Sequence, residues 1–443
     1  MKKSKIIRYV NVFLLTLSLL VNTGQVRAAD QAVSTQDTGS LIETKVIKDW
    51  PQGPPLTSKT AVLVDVNTGI VLYNQAMHER MYPASTTKIM SALLAIENKS
   101  LTDIVTMTET GMRDAYSGSS NILPVLGEQF TMEQCLYMIL LKSANDVTTQ
   151  VAEYVGGSEA EFVNMMNAKA QALGCQGTHF NNANGLPDEN HYTTAYDLSL
   201  IMQEALKNDI FRQIINTQVY TVPPTNLTPG ARTYKNHHEM LLSGSQFCYD
   251  GIIGGKTGYT DAAGVTLVTA ASRNGRTLIS VVMKTGWGEA FLDTISLMDY
   301  GFGQFQQVDM ASQDKNLTGL VVLPVNKGLS DLKLSDPMAN QVDYLFEGYK
   351  VGSGSQLEII DKEKENKEQE VAEEKIKKPS GDKKSILNKF FQKIKALFPK
   401  EWSPLYLMGL AIWCLVIVVL FVALIFKIKR KRKSKRRKRR KLK

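Results

Sequence analysis

One short segment places a serine and a lysine where they could carry out acyl chemistry together. Ser85 and Lys88 stand three residues apart in PASTTKIM, directly after Pro83 and at the start of an apolar run. Proline suits the first turn of a helix, and residues three apart share one helix face. The positive end of the helix dipole and partial burial both push a lysine there towards its neutral amine. A neutral amine can take the proton from a serine hydroxyl and so create a nucleophile.

This segment alone does not show whether Ser85 and Lys88 have a catalytic or a structural role. Ser-x-x-Lys arises by chance in most chains of this size, and a helix cap followed by a surface lysine has the same pattern. Two further segments change the interpretation. Ser143 and Asn145 stand in KSAND, near the boundary between two helical runs. Lys256, Thr257 and Gly258 stand in GGKTGY, on a strand flanked by glycines, although this triplet taken alone could be an ordinary turn.

Together the three segments resemble the serine penicillin-recognising enzymes, whose set is Ser-x-x-Lys, Ser-x-Asn and Lys-Thr-Gly. The closer resemblance is to the low-molecular-weight penicillin-binding proteins, the serine-type D-Ala-D-Ala carboxypeptidases of the peptidase S11 type. It rests on PASTTKIM, KSAND, NNANGLPDENHYTTAYDLSLIM and DGIIGGKTGYTDAAG, and it covers about residues 58–304. The resemblance implies an α/β (α+β) fold of the penicillin-binding-protein and β-lactamase type, with an antiparallel sheet flanked by helices.

The resemblance implies a chemical role for four motif residues. Ser85 would attack the carbonyl between the last two D-alanines of a peptidoglycan stem peptide, with Lys88 as its base. Ser143 would pass a proton toward the leaving amine. Asn145 would orient Lys88 and bind the peptide amide. Water would then free the shortened peptide from Ser85, and β-lactam antibiotics would acylate the same serine as covalent inhibitors.

Four more residues are implied to hold the substrate. Lys256 would supply positive charge near the terminal carboxylate, and Thr257 a hydroxyl to bind it. Gly258 would leave room for a substrate that lies edge-on along the strand. The backbone N–H groups of Ser85 and Tyr259 would form the oxyanion hole.

Other matches to the family concern the surroundings of the cleft. A supporting rather than catalytic role is implied for Asn184, Gly185, His191 and Asp197. The family often has an arginine near the carboxylate site, but the arginines between Lys256 and Phe302 are Arg273 and Arg276, at a hairpin tip. Lys284 and His237 are the candidates to replace it.

Three alternative functions are less well supported by the sequence. A β-lactamase of class A would hold a Glu-x-x-Leu-Asn stretch between Asn145 and Lys256, and EALKN at Glu204 has the wrong order. A non-catalytic β-lactam sensor would need a signalling domain, for which a 17-residue tail is too short. The five histidines have no His-Glu-x-x-His spacing, so a zinc carboxypeptidase is disfavoured and neither metal nor cofactor is expected.

The elements that must position these residues follow from periodicity. Two β runs surround Asn67-Thr68-Gly69, helical runs occupy the middle, and a strand followed by a hairpin around Asn274-Gly275 ends the region. Strands first, helices next and antiparallel strands last predict one sheet built from both ends of a domain, with helices packed on it. Short β-like runs over 305–360 predict a small β module.

The charge of the chain is concentrated at its ends. The formal charge is +9, but residues 427–443 contain 14 Lys or Arg, residues 1–28 contain five, and neither range has an acid. Residues 29–426 therefore carry −10. The pI of about 9.1 thus says nothing about the partners of the folded part. No nucleic-acid role is expected, because a membrane stop-transfer signal accounts for the tail.

Both ends are typical of targeting segments. A basic start, an apolar centre of about ten residues and the spacing Val26-x-Ala28 predict a cleaved secretory signal, with an uncleaved anchor as the alternative. Leu405–Phe426 is 22 residues without a charge, long enough to cross a bilayer as a helix. Lys/Arg excess marks the cytoplasmic side, so a single-pass membrane protein with residues 29–400 outside the cell is expected.

The predicted division of the chain is a signal peptide over 1–28, a linker over 29–57, a catalytic domain over 58–304, a small β domain over 305–360, a charged spacer and amphipathic juxtamembrane segment over 361–400, a transmembrane helix over 405–426 and a basic cytoplasmic tail over 427–443.

Overall fold

The computed structural model describes residues 43–115, 118–335 and 341–356. Its α-helices are α1 Lys88–Asn98, α2 Glu109–Ala115, α3 Met132–Tyr137, α4 Asn145–Gly156, α5 Glu159–Ala172, α6 Ala195–Ala205, α7 Asp209–Asn216 and α8 Trp287–Gln304. Its strands are β1 Thr60–Asp65, β2 Val71–Gln75, β3 Ile104–Thr106, β4 Gln129–Thr131, β5 Val219–Val222, β6 Arg232–Lys235, β7 Ile252–Thr260, β8 Gly264–Arg273, β9 Arg276–Thr285, β10 Phe305–Asp309, β11 Leu320–Pro324, β12 Leu332–Leu334, β13 Gln341–Phe346 and β14 Tyr349–Ser355.

The larger sheet is antiparallel and is built from both ends of the predicted domain. Its strand order is β2-β1-β9-β8-β7, so the first hairpin lies beside strands that follow the helices in sequence. The β8–β9 hairpin turns at Asn274 and Gly275, whose φ angles of 51° and 78° are both left-handed. This is the backbone that a two-residue hairpin loop requires, and Asn-Gly adopts it readily. The predicted antiparallel sheet with flanking helices is confirmed.

Both faces of this sheet are covered, and the alternation along β1 shows why. Val62 and Val64 pack into an apolar cluster with the helices of the middle region, whereas Ala61 and Leu63 pack into a second cluster with α8. Side chains alternate between faces along a strand, so a strand whose four central residues are all apolar needs a cover on each side. All six residues of β1 are buried.

The described part of the predicted linker is packed rather than extended from the domain. Trp50 is 8% exposed and donates its ring N–H to the carbonyl of Leu72 at 2.9 Å. Its ring lies 4.9 Å from that of Phe305 and 5.3 Å from that of Tyr349, centroid to centroid. The Pro- and Gly-rich composition around PQGPP gave no indication that one aromatic residue, Trp50, anchors this segment. The described residues of the predicted linker, 43–57, therefore pack on the domain through Trp50.

A second, smaller antiparallel sheet has the order β10-β11-β14-β13-β12, and it begins directly after α8. Arg276 stands where the two sheets meet. Its Nε donates to Asp65 Oδ2 at 2.7 Å, and its Nη1 donates to the carbonyls of Gly301 and Phe305 at 2.9 and 2.8 Å. The predicted hairpin-tip position of this arginine is confirmed, and its contacts give it a structural role.

The predicted signal over 1–28, the spacer over 361–400, the span over 405–426 and the tail over 427–443 lie outside the described residues. None of the helices in the described part combines the length and the apolar character that crossing a membrane requires.

Candidate active site

Ser85 sits on a single 3₁₀ turn, Ala84–Thr87, that continues directly into α1 at Lys88. Ala84 has a φ of 49°, a left-handed conformation that is strained for a residue with a side chain. The carbonyl of Pro83 accepts hydrogen bonds from Thr86 Oγ1 at 2.7 Å and from Thr266 Oγ1 at 2.9 Å. These bonds fix the turn against strand β8 and hold the serine in place.

Lys88 is fully buried and lies at the centre of the site. Its Nζ is 3.0 Å from Ser85 Oγ, 2.5 Å from Asn145 Oδ1 and 2.5 Å from the carbonyl oxygen of Asn184. The amine thus has three oxygen neighbours, and one of them is the serine hydroxyl. The predicted approach of Ser85, Lys88 and Asn145 is present in the structure.

The pKa of Lys88 lies well below its ordinary value. Burial is the largest cause, and the positive charge of Lys256 is the next. Asp146 and Asp114 act in the opposite direction but do not restore it. Burial disfavours the charged form of a lysine, so the amine is directed toward its neutral state.

Ser143 and Asn145 lie at a break between two helices, as predicted. A π-helical turn, Met138–Lys142, ends at Ser143, whose φ is 64°, and α4 begins at Asn145. Ser143 is 5% exposed, and its Oγ has no hydrogen-bond partner among the described residues. Asn145 donates its amide to Ser119 Oγ at 2.6 Å. The break leaves a hydroxyl uncommitted at the edge of the cleft.

Lys256, Thr257 and Gly258 lie within β7, an edge strand of the larger sheet, and not in a turn. A Cβ at Gly258 would lie 2.8 Å from the Ser85 backbone nitrogen, closer than non-bonded atoms approach. Glycine is therefore required where β7 meets the turn Ala84–Thr87, called the serine turn below. Lys256 is 1% exposed and donates to the carbonyl of Thr257 at 2.8 Å. Burial lowers the pKa of Lys256 to about 7.

A cleft of about 320 Å³ opens between these elements. It is lined by Ser85, Gly118, Ser119, Ser120, Ser143, Asn145, Asn184, Gly185, Leu186, His237, Thr257, Gly258, Tyr259, Thr260 and Trp287. Six of the eight predicted site residues are among them, while Lys88 and Lys256 are buried behind its wall. Tyr259 is 60% exposed at the rim. Groups of His, Cys, Asp and Glu that could hold a metal ion do not occur within the described residues.

The loop at Asn184 and Gly185 supports the serine turn from behind. Gly185 has a φ of 87°, and a Cβ there would lie 1.9 Å from the carbonyl oxygen of Ala84. The side-chain amide of Asn184 donates to Asp114 Oδ2 at 3.1 Å and to Thr149 Oγ1 at 3.0 Å. The position of the Asn184 carbonyl, which accepts from Lys88, is fixed in this way.

His191 forms a hydrogen bond with Thr87, the last residue of the turn that carries Ser85. Its Nδ1 accepts the backbone N–H of Asn181 at 3.0 Å, so Nε2 carries the proton and donates to Thr87 Oγ1 at 2.8 Å. Burial lowers the pKa of His191 to about 4, and the ring is neutral at pH 7. Asp197 accepts the backbone N–H of Gly177 at 2.8 Å and lies outside the cleft lining.

Of the two residues suggested in place of the family's arginine, His237 and Lys284, one lies at the cleft and the other does not. His237 lines the cleft, whereas Lys284 lines a different cavity together with Lys59 and Glu79. The Arg273 guanidinium lies over the Tyr249 ring, 4.3 Å from its centroid. Burial lowers the pKa of His237 to about 4, with further lowering by nearby lysine charges. A neutral imidazole, and not a guanidinium, therefore stands at this end of the cleft.

Two parts of the cleft were missed in the sequence. Gly118–Ser120 forms one wall, and Trp287, the first residue of α8, forms the end beside His237. The small polar run GSSN ahead of an apolar segment was an available signal for the first. No local pattern marks the second, since its place depends on where α8 begins.

A strained serine turn, a buried lysine beside it, a helix break and an edge strand define a serine hydrolase with a penicillin-binding-protein-like fold. The chain belongs to the D-alanyl-D-alanine carboxypeptidase family, peptidase S11, whose sequence profile matches residues 48–286. This is a family of serine hydrolases that act on the bacterial cell wall. The predicted family and enzyme class are confirmed.

Individual proteins agree with the family. The chain is 32% identical over 285 residues to D-alanyl-D-alanine carboxypeptidase DacF of Bacillus subtilis, covering 64% of this chain and 72% of DacF. It is 34% identical over 268 residues to DacB2 of Mycobacterium tuberculosis, covering 59% and 87%. The crystal structure of the Streptomyces K15 DD-transpeptidase is similar with a TM-score of 0.53 and 30% identity, covering 57% of this chain and 99% of that one.

Proposed function

We propose that Ser85 is the nucleophile with which this enzyme removes the terminal D-alanine from peptidoglycan stem peptides. The observation that carries the proposal is the contact between Lys88 Nζ and Ser85 Oγ at 3.0 Å, in a site where burial pushes the amine toward neutrality. Nucleophile and base are thus within hydrogen-bond reach of each other, as covalent catalysis requires.

The other two contacts of Lys88 support its role as the base. A neutral amine has two N–H donors and one lone pair. The oxygens of Asn145 and Asn184, both at 2.5 Å, take the two donors. The lone pair is then left for the third neighbour, and Ser85 donates its hydroxyl proton to it. Asn145 therefore orients Lys88. Its side-chain amide, which lies in the cleft wall and donates to Ser119, is proposed to bind the peptide as well.

The edge of β7 is proposed to hold the substrate. An edge strand offers unpaired backbone groups to an extended peptide, and Gly258 keeps that edge close to Ser85. Lys256 and Thr257 bind the terminal carboxylate. The N–H groups of Ser85 and Tyr259 stabilise the oxyanion, a contribution of about 3–4 kcal/mol per donor in serine hydrolases.

Ser143 is proposed to carry the proton to the leaving amine. Its buried hydroxyl has no partner in the described part of the chain, so it is available to substrate. The C–N bond then breaks, D-alanine leaves, and water hydrolyses the ester on Ser85. A β-lactam ring presents the same carbonyl to Ser85, so the enzyme is proposed to be acylated and inhibited by β-lactams.

The location of the enzyme is part of the proposal. A secretory signal over 1–28 and a membrane span over 405–426 would hold the catalytic domain, 58–304 with its packed N-terminal segment, and the β domain, 305–360, outside the cell. Residues 361–400 would be the spacer, and the basic tail over 427–443 would lie in the cytoplasm. Stem peptides at the external face of the cell membrane would then be within reach of the cleft.

A single serine substitution tests the catalytic proposal. The full chain in mild detergent should release D-alanine from a peptide that ends in D-Ala-D-Ala, and it should be labelled by a fluorescent penicillin. Ser85→Ala should lower D-alanine release by at least about a thousandfold and abolish labelling. Ser312→Ala, on an exposed turn of the β domain, should leave both unchanged.

Three other outcomes would overturn the assignment. Labelling at Ser85 without D-alanine release would indicate a β-lactam sensor. Rapid hydrolysis of the penicillin by the full chain would indicate a β-lactamase. D-alanine release that survives in Ser85→Ala would remove this serine from the mechanism.

A further inference from the structure

Two neighbouring loops expose large apolar side chains. Leu123, Val125 and Leu126 lie on the loop between α2 and β4, where they are 61%, 49% and 49% exposed. Leu227 lies on the loop between β5 and β6 and is 49% exposed. We call these four residues the apolar tip. Single exposed leucines are ordinary on a protein surface, but aliphatic side chains gathered on adjoining loops indicate an interaction site.

A buried carboxylate joins the two loops. Glu128 is fully buried, and its Oε2 accepts the backbone N–H of Val125 at 3.0 Å. Its Oε1 accepts hydrogen bonds from Thr225 Oγ1 and from Arg232 Nη2, both at 2.6 Å. Thr225 lies on the β5–β6 loop and Arg232 is the first residue of β6. One ion pair and its hydrogen bonds thus fix the position of each loop relative to the other.

The exposed side chains form one patch. The side-chain amide of Asn226 donates to the carbonyl of Gly127 at 3.0 Å, which brings the two loops into direct contact. A Cβ at Gly127 would lie 3.7 Å from Leu227 Cδ1, so Leu227 packs beside the residue that follows Leu126. The apolar tip is therefore a single surface of fixed shape, built from two loops.

The composition of the tip favours lipid over protein as its partner. Residues 121–127 and 224–231 contain no Asp, Glu, Lys or Arg, and the Glu128 carboxylate beside them is paired with Arg232. The same two segments also lack aromatic residues and Met, which protein interfaces favour. Leu and Val enter a bilayer favourably, whereas a free charge would oppose entry. The tip therefore has the chemistry of a surface that contacts acyl chains.

The proposed membrane span keeps a bilayer close to the tip. Residues 357–404, 48 in number, separate the last described residue from the uncharged segment Leu405–Phe426. A chain of this length extends to at most about 170 Å. Contact between the tip and the same membrane is therefore an intramolecular step, for which a few aliphatic side chains suffice. The length of the connection does not by itself orient the catalytic domain, whereas a second contact would.

We propose that the apolar tip inserts into the lipid bilayer that holds the span, and that it keeps the catalytic cleft beside the membrane surface. The loop that carries the tip begins in the cleft wall at Gly118–Ser120. The backbone N–H groups of Ile122 and Leu123 donate to Asp146 Oδ2 at 2.9 and 3.2 Å. Asp146 directly follows the site residue Asn145. This inference rests on the membrane location in the proposed function, and not on its chemistry.

Fluorescence quenching tests the proposal on the full chain, reconstituted in nanodiscs of phosphatidylglycerol and phosphatidylcholine with brominated acyl chains. Trp402→Phe/Trp413→Phe removes the tryptophans at the predicted span and leaves Trp50 and Trp287. Leu126→Trp in this background places a probe in the tip. Its added emission should fall below about half of its value in unbrominated nanodiscs, since interfacial elements bury their apolar face about 5–10 Å deep.

Two controls separate insertion from other causes of quenching. Leu334→Trp in the same background is matched in exposure, because Leu334 is 45% exposed but lies in β12 of the second sheet, and its emission should not change. Leu227→Trp should be quenched like Leu126→Trp, and Val125→Glu should abolish that quenching by adding a charge to the tip. Raising the salt concentration should not release the tip, because it has no free charge. Labelling by a fluorescent penicillin should persist in every variant, which shows that each is folded.

The outcomes separate this proposal from the proposed function. An unquenched Leu126→Trp in a chain that has entered the nanodiscs would overturn insertion and leave the patch to a protein partner. Quenching that salt removes, or that survives Val125→Glu, would overturn apolar insertion as its cause. A chain that does not enter the nanodiscs would overturn the proposed membrane location and the tip with it. Failure to release D-alanine would overturn the proposed chemistry alone, because the quenching does not depend on turnover.

Discussion

Two buried lysines share one small site, and their proximity matters for catalysis. Both Lys88 and Lys256 are almost fully covered by protein. Burial lowers the pKa of each, and the charge on Lys256 lowers that of Lys88 further. Like charges in a poorly solvated site disfavour double protonation. The arrangement therefore favours one neutral amine, at Lys88 beside Ser85, and one ammonium, at Lys256 beside the proposed carboxylate site.

The first prediction concerns the alkaline side of the pH profile. Burial lowers the pKa of Lys256 to about 7, so this lysine loses its charge as the pH rises. If Lys256 binds the substrate carboxylate as proposed, that binding then weakens. We expect kcat/KM for D-alanine release to fall above about pH 7. Lys256→Arg keeps its charge at every accessible pH, so its alkaline limb should move up by more than about one pH unit, with lower maximal activity because a guanidinium is larger and planar.

A lysine on the same sheet provides the control for this experiment. Lys284 stands near the end of β9 and lines a cavity separate from the cleft. Lys284→Arg should leave the pH profile unchanged. An alkaline limb that stays in place in Lys256→Arg would show that another group sets it.

At the scale of elements, the serine turn depends on contacts that come from far along the chain. Gly185 lies so close to the Ala84 carbonyl that a Cβ there would clash with it, and Thr266 of β8 donates a hydrogen bond to the Pro83 carbonyl. Each contact limits how the strained turn can relax. A functional conformation held by distant elements is a common way to keep strain at an active site.

Two glycines with the same backbone conformation isolate this effect. Gly185 and Gly174 have φ angles of 87° and 83°, but a Cβ at Gly174 would meet nothing within 4 Å. Gly174→Ala should cost about 1 kcal/mol of stability from backbone strain and leave turnover unchanged. Gly185→Ala adds a clash with the Ala84 carbonyl, so acylation by penicillin should slow by at least about a hundredfold, since small displacements of a nucleophile are costly.

The measurements are the urea midpoint and the rate of acylation by a fluorescent penicillin. Equal acylation rates in the two glycine variants would mean that the loop at Gly185 does not position Ser85.

Sequence patterns predicted the elements that carry their own local signal. The Asn274-Gly275 hairpin and the helix break at Ser143 both appear as expected. Turn chemistry and hydrophobic period are local properties, so they survive in a single sequence. The motif residues could be placed in one site only through the family resemblance, because their convergence is a property of the tertiary fold.

What the sequence did not predict depends on long-range packing. Helices α2, α7 and α8 and the β5–β6 ribbon were missed, and two of these elements, β6 and α8, line the cavities at and beside the cleft. Trp50 lies in a Pro-rich segment whose composition indicated a linker, yet one indole packs against the second sheet. One large aromatic can anchor a segment that composition alone assigns to a loop.

At the scale of the whole molecule, one buried ion pair and one aromatic cluster hold the two sheets together. Arg276 joins Asp65 of the first sheet to the carbonyl of Phe305, where the second begins. The Trp50 ring packs on Phe305 and Tyr349. The catalytic domain and the first strands after it therefore share one apolar core.

The last prediction concerns the acid stability of this folded unit. His191 and His238 are each 1% exposed, and burial lowers the pKa of each from 6.5 to about 4. Between these values the unfolded chain binds protons that the folded chain excludes. Stability is therefore full above about pH 6.5 and is lost as the pH falls toward 4. Each ring should contribute about 2 kcal/mol of this loss between pH 7 and pH 5.

His238 is the better of the two for a test, because it lies outside the cleft lining. Its Nε2 is 2.8 Å from Thr269 Oγ1, and its Nδ1 has no partner among the described residues. His238→Gln keeps a polar group near Thr269 but cannot take up a proton. Urea unfolding at pH 7 and pH 5 should show a fall in stability about 2 kcal/mol smaller than in the parent chain, whereas exposed His78→Gln should behave like the parent. The same fall in all three chains would mean that carboxylates, and not buried imidazoles, set the acid limit of this fold.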